Sequence, residues 1–129
     1  MQRPFVLLAT DDAKFASVAT DAILETRHGV RPAHDMNQAY QALSEGARNI
    51  GLAVIDVTGG QFGRQLLRAL NGTHADFPIL AITDPVDTPD FDHLDGLAIM
   101  RCEKNATASS LRKEIHDMCI DVPPQASPP

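Results

Sequence analysis

The run Ile50-Gly51-Leu52-Ala53-Val54-Ile55-Asp56 decides the fold. Its continuous apolar character, at strand length, predicts a strand buried on both faces, because a half-exposed strand would alternate apolar and polar residues. Val57-Thr58-Gly59-Gly60 follows at once, so Asp56 stands where a buried strand gives way to a loop. Two further runs end in the same way. Phe5 to Thr10 leads into Asp11-Asp12, and Phe77 to Ile82 leads into Thr83-Asp84. Converging strand ends of this kind would bring together carboxylates and a hydroxyl suited to a small cation and a phosphoryl group.

Between the strand-like runs the apolar residues recur at helical spacing. Phe15, Val18, Ala19, Ala22 and Ile23 predict a first helix, ended at Thr26-Arg27-His28-Gly29 with glycine as the stop. A weaker strand, Gly29 to His34, carries Pro32, which places it toward a sheet edge. Ala39, Ala42 and Leu43 predict a helix stopping near Gly46. Phe62, Leu66, Leu67 and Leu70 predict another, closed by Asn71-Gly72. A short strand is expected over Leu97 to Met100, and Ala108, Leu111, Ile115, Met118 and Cys119 mark the last helix. Alternating strands and helices imply a mostly parallel sheet covered on both faces, since parallel strands need helical crossovers. Two doubly wound strand orders satisfy that pattern; the flavodoxin-like one places ligands at the ends of the first and third strands.

The 129 residues fit one domain, expected over 4–120, with a disordered Pro-rich tail over 121–129. A net charge of −6 and the lack of any Lys/Arg cluster argue against direct nucleic-acid binding. No segment approaches the roughly 20 apolar residues that span a bilayer. The N-terminus lacks a signal pattern, so a cytoplasmic location away from membranes is expected. Cys102 and Cys119 lie far apart without a CxxC spacing and read as buried or half-buried free thiols. The aspartates from Asp84 to Asp95, interrupted by Pro85 and Pro89, read as a solvated loop. The five histidines show no metal-ligand spacing, and no Walker or G-x-G-x-x-G loop is present.

Over 4–120 the chain resembles the response regulator receiver domains of two-component signalling. That family carries an acidic pair after its first strand, a phosphoacceptor Asp after the third, a Thr or Ser after the fourth and a Lys after the fifth. The matching residues are Asp11 and Asp12, Asp56, Thr83 and Lys104. The resemblance implies an α/β, flavodoxin-like, doubly wound five-stranded parallel sheet of order 2-1-3-4-5 with helices on both faces. It further implies that Asp56 accepts phosphoryl from a histidine kinase or phosphotransfer protein, that Mg²⁺ is held by Asp11, Asp12 and Asp56, and that Thr83 and Lys104 contact phosphoryl oxygens. Glu103 competes with Lys104 for the lysine position: counting forward from Gly96 selects Glu103, counting back from Leu111 and Ile115 selects Lys104.

The sequence also departs from the family. Gly59-Gly60 replaces a Met-Pro-like stretch, Asp84 stands where a small residue follows the Thr, Arg101 occupies the aromatic switch position, and Asn105 replaces a proline. These departures imply an alternative, a degenerate receiver that serves protein interaction or homodimer formation without phosphoryl transfer.

Overall fold

In a computed structural model of the chain, residues 4–58, 61–73, 76–84, 98–105 and 108–121 are described, with residues 119–121 as backbone only. Five strands are present among them: β1 (Phe5–Ala9), β2 (Gly29–Ala33), β3 (Ile50–Asp56), β4 (Ile79–Thr83) and β5 (Ile99–Glu103). The helices are α1 (Ala13–Glu25), α2 (Met36–Gly46), α3 (Phe62–Thr73) and α4 (Ala108–Asp121), with a short 3₁₀ turn at Ala47–Asn49. All strand pairs are parallel and the order is β2-β1-β3-β4-β5. This is the doubly wound, flavodoxin-like arrangement expected from the sequence.

Every residue of β3 is buried, which follows from its central place with helices on both faces. Its side chains alternate between two cores. Ala53 and Ile55 join Leu66, Leu67 and Leu70 of α3 and Ala39 and Ala42 of α2. Leu52 and Val54 join Phe15, Ala19 and Ile23 of α1 and Leu111 and Ile115 of α4 on the other face. Burying the larger of these side chains contributes about 1.5–3 kcal/mol each. With both faces sealed, the loops at the carboxyl edge of the sheet are where polar groups from different strands can meet water and ligands.

Several details differ from the sequence expectations. The fifth strand was expected over Leu97 to Met100 and instead runs Ile99–Glu103, in register with β4 so that Thr83 lies opposite Glu103. Pairing with β4 overrides hydrophobicity there, since Met100, Arg101 and Glu103 are exposed on this outer strand. Gly29 was expected to stop the first helix; the left-handed turn residue is Arg27, with φ of 68°. Gly29 serves a packing purpose instead, because a Cβ there would lie 2.6 Å from the Phe5 ring. The third helix passes through Asn71 and Gly72 to Thr73, whose hydroxyl donates to the Leu70 carbonyl at 3.1 Å. Pro32 does lie on an edge strand, β2. The acidic segment expected as a loop falls, apart from Asp84, in 85–97, and the Pro-rich tail falls almost wholly in 122–129; both lie outside the described residues.

Candidate functional site at the carboxyl edge of the sheet

The two acids that matter are placed by different local devices. Asp56 is the last residue of β3, held in the sheet by pairing with Ile82 and by the bond from the Val57 amide to the Ile82 carbonyl, 3.0 Å. It is only 4% exposed. Asp12 sits in extended conformation before α1 and caps it, its Oδ1 accepting from the amides of Lys14 at 3.0 Å and Phe15 at 3.1 Å. Capping leaves Oδ2 of Asp12 to face outward from the helix start.

Lys104 follows β5 directly, and its amide donates to the Thr83 carbonyl at 2.8 Å, which fixes its backbone at the sheet edge. From there Nζ reaches Oδ2 of Asp56 and Oδ2 of Asp12, both at 2.9 Å, and donates to the Thr58 hydroxyl at 2.9 Å. The ammonium also lies 5.7 Å from the centre of the Phe15 ring, within reach of a cation–π attraction. Of the two candidates at the end of β5, Lys104 is the one whose side chain reaches Asp56; Glu103, the last residue of the strand, is exposed.

Both oxygens of Asp56 are engaged. Oδ2 accepts from the Thr10 hydroxyl at 2.8 Å and from Lys104; Oδ1 accepts from the Thr58 amide at 2.9 Å and from the Thr58 hydroxyl at 2.6 Å. These charge-assisted bonds make it possible to bury a carboxylate that would otherwise be costly to desolvate. The Lys104 side chain, bonding to Asp12 foremost, and the Phe15 amide hold the Asp12 carboxyl below the usual carboxylate range. Burial alone would push the Lys104 ammonium toward losing its proton, but the bonds it makes to Asp12 and Asp56, with their charges, outweigh that and raise its pKa.

The structure therefore brings together Asp12, Asp56 and Lys104. Thr83 is buried at the end of β4, 4% exposed, but its side chain is not joined to this network among the described residues. Asp11 is exposed and stands outside it. No group of three acids, histidines or cysteines is arranged for a metal among the described residues. Two carboxylates nevertheless share one cation at equal distance, and Mg²⁺ is commonly held by one or two carboxylates with water completing the shell. Hard oxygens around an existing cation position fit Mg²⁺, provided that Lys104 yields it.

Two side chains in the network had no role in the sequence reading: the hydroxyls of Thr10 and Thr58. Thr10 closes an apolar run, and Thr58 lies in the loop that follows Asp56. Gly63 bears on the site through its backbone. A Cβ there would lie 2.1 Å from the carbonyl oxygen of Asp56, so the start of α3 can pass this close to the strand end only as glycine. A separate cleft of about 480 Å³ between α2 and α3, floored by Leu70 and Phe77 with Tyr40 at its rim, lies by the amino ends of the strands, away from Asp56. No described helix is long and apolar enough to cross a membrane.

Comparison with solved structures agrees with this fold. A signal receiver domain from Vibrio parahaemolyticus superposes with a TM-score of 0.76 at 17% identity, covering 93% of this chain and 92% of that one. A response regulator receiver domain protein from Clostridium thermocellum gives 0.73 at 15% identity, with coverage of 91% and 94%. A CheY-like receiver domain protein from Methanospirillum hungatei JF-1 gives 0.72 at 18% identity, with coverage of 92% and 93%. The chain thus has the fold of response regulator receiver domains over nearly its whole length. No protein-family model and no curated protein matches its sequence.

Proposed function

We propose that this chain is a receiver module of two-component phosphorelay signalling, in which Asp56 accepts a phosphoryl group from the phosphohistidine of a histidine kinase or phosphotransfer protein. The observation that carries this reading is the 2.9 Å contact between Lys104 and Asp56 at the carboxyl edge of the central strand. A carboxylate oxygen of Asp56 attacks phosphorus, the P–N bond to the donor imidazole breaks, and the imidazole nitrogen keeps the electron pair and takes up a proton from water. The product is an aspartyl phosphate. Lys104 is placed to follow the new negative charge, exchanging its bond to the carboxylate for one to a phosphoryl oxygen. Thr83, buried at the end of the neighbouring strand, is the residue to offer a hydroxyl to another oxygen.

Asp12 and Asp56, with Asp11 adjacent to Asp12 in the chain, would hold Mg²⁺, which when bound would offset charge on the phosphoryl oxygens. On this reading the chain is a cytoplasmic signalling domain that is itself modified, rather than an enzyme turning over a small substrate. Phosphorus NMR after incubation with acetyl phosphate and Mg²⁺ tests it: an acyl-phosphate resonance is expected on the native chain. If none appears at any Mg²⁺ concentration, the acceptor role is wrong.

A second reading is favoured by the four donors that occupy Asp56 from Thr10, Lys104 and Thr58. A carboxylate so fully satisfied can serve as a structural tie, and the chain would then be a degenerate receiver acting through protein contacts. A native chain that stays unmodified while binding a partner or a second copy of itself would support that reading.

A further inference from the structure

Thr10 is 1% exposed, and all of its polar groups are in use. Its amide donates to the Ala33 carbonyl at 3.1 Å, and its carbonyl lies 3.1 Å from Nδ1 of His34. A carbonyl can only accept, so this contact selects the tautomer with the proton on Nδ1, or the protonated ring. The hydroxyl donates to Oδ2 of Asp56 at 2.8 Å and accepts from the Asp12 amide at 3.1 Å. A hydroxyl has one proton to give, so bonding Asp56 leaves its lone pairs for Asp12, and the two contacts are compatible in one rotamer.

One buried side chain thus ties the end of β3 to the start of α1, and its backbone ties both to the loop between β2 and α2. Lys104 engages the same carboxylate oxygen and the same Asp12. The Thr10 hydroxyl and the Lys104 ammonium thus share Oδ2 of Asp56, while Thr58 holds Oδ1. Beyond His34, whose amide donates to Oε1 of Gln38 at 2.7 Å, the chain enters α2 through the Asp35 cap.

We propose that Thr10 is a positioning residue for Asp56, which holds Oδ2 toward Lys104 and links the carboxylate through its backbone to His34 at the entrance of α2. Its effect on phosphoryl transfer rests on Asp56 being the acceptor; its effect on the carboxylate does not. Valine in place of threonine keeps the branched shape and removes the hydroxyl, leaving Oδ2 one donor short and the Asp12 amide without its acceptor. Serine restores the hydroxyl.

The test compares the native chain with Thr10→Val and Thr10→Ser by NMR, without Mg²⁺ or phosphodonor, reading the Asp56 carboxyl carbon and the amides of Asp12 and His34. Thr10→Val is expected to move all three, and Thr10→Ser to return them toward native positions. With acetyl phosphate and Mg²⁺, Thr10→Val is expected to label about tenfold more slowly, as fits the loss of a hydrogen bond to a charged group, with Thr10→Ser recovering most of the rate. An unmoved Asp56 carboxyl in Thr10→Val, or a shift in Thr10→Ser as large as in the valine variant, would overturn the proposal. A native chain that takes no phosphoryl group refutes the acceptor reading, and the carboxyl comparison then decides the role of Thr10 by itself. Should Thr10→Val not fold, Asp56→Asn provides the reverse comparison: the Thr10 side-chain carbon must shift, and an unmoved resonance contradicts the tie.

Discussion

The ammonium of Lys104 lies 2.9 Å from Asp56 and 2.9 Å from Asp12, so one cation is shared by a buried carboxylate at the end of β3 and by the residue that caps α1. Replacing Lys104 by Met keeps the stem over Phe15 but leaves Asp56 without its counter-charge. With the Asp56 side chain only 2% exposed, water cannot fully compensate. Lys104→Met is expected to destabilise the fold by about 1–3 kcal/mol, read as a lower urea midpoint at unchanged slope.

The same shared cation sets the pH response. Asp12 has a carboxyl pKa held down in the folded state by Lys104 and the Phe15 amide, so it binds fewer protons folded than unfolded. Its stabilisation is present above the ordinary carboxylate value and is lost as pH falls through the lower folded value. Asp12→Asn, which can still cap the helix, should flatten the acid limb of the stability curve. Lys104 behaves in the opposite sense. Its stabilisation is fully present below its ordinary value of 10.5 and is lost as pH climbs through the higher folded value, so Lys104→Met should flatten the alkaline limb.

In the proposed function Mg²⁺ would occupy the position between Asp12 and Asp56 that the Lys104 ammonium holds, and so would compete with it. Removing the ammonium should therefore raise Mg²⁺ affinity, and NMR titration of Lys104→Ala is expected to saturate at lower Mg²⁺ than the native chain. Perturbed amides should centre on Asp12, Asp56 and Thr58. Equal affinity in the two proteins would mean that the ammonium and the metal do not share a position.

Gly63, at the start of α3, passes close against the end of β3. A Cβ at 2.1 Å from the Asp56 carbonyl oxygen would have to push backbone, not a flexible side chain. Gly63→Ala should cost about 1–3 kcal/mol and slow labelling of Asp56, whereas Gly72→Ala, with open space around it, should do neither. Denaturation and labelling of the two variants side by side separate the effect of the contact from that of an added methyl group.

Much of this could be read in the amino-acid order, because burial leaves a direct trace there. Ile50 to Ile55 is apolar without alternation since both of its faces are covered, and that one fact implies helices on each side and a parallel sheet. The fifth strand left a poorer trace: Met100, Arg101 and Glu103 are exposed, so register with β4 and not hydrophobicity fixes its limits. Asp12, Asp56 and Lys104 of the candidate site stand out in the sequence, whereas Asp11 and Thr83, singled out with them, lie outside the network, and two of its hydroxyls leave no trace. Thr10 and Thr58 look like ordinary residues at strand ends. The bond from Thr10 to Asp56 joins positions 46 apart, and only the pairing of β1 with β3 brings them together. Gly29 misled for a similar reason, as its need for space comes from the Phe5 ring across the sheet.

The central claim is that Asp56 takes the phosphoryl group. Intact-mass measurement of the native chain and of Asp56→Asn, each incubated with acetyl phosphate and Mg²⁺, tests it most directly. The account predicts a mass gain of one phosphoryl group on the native chain, lost on treatment at alkaline pH, and no gain on Asp56→Asn. An unmodified native chain, or equal modification of the two proteins, would contradict it.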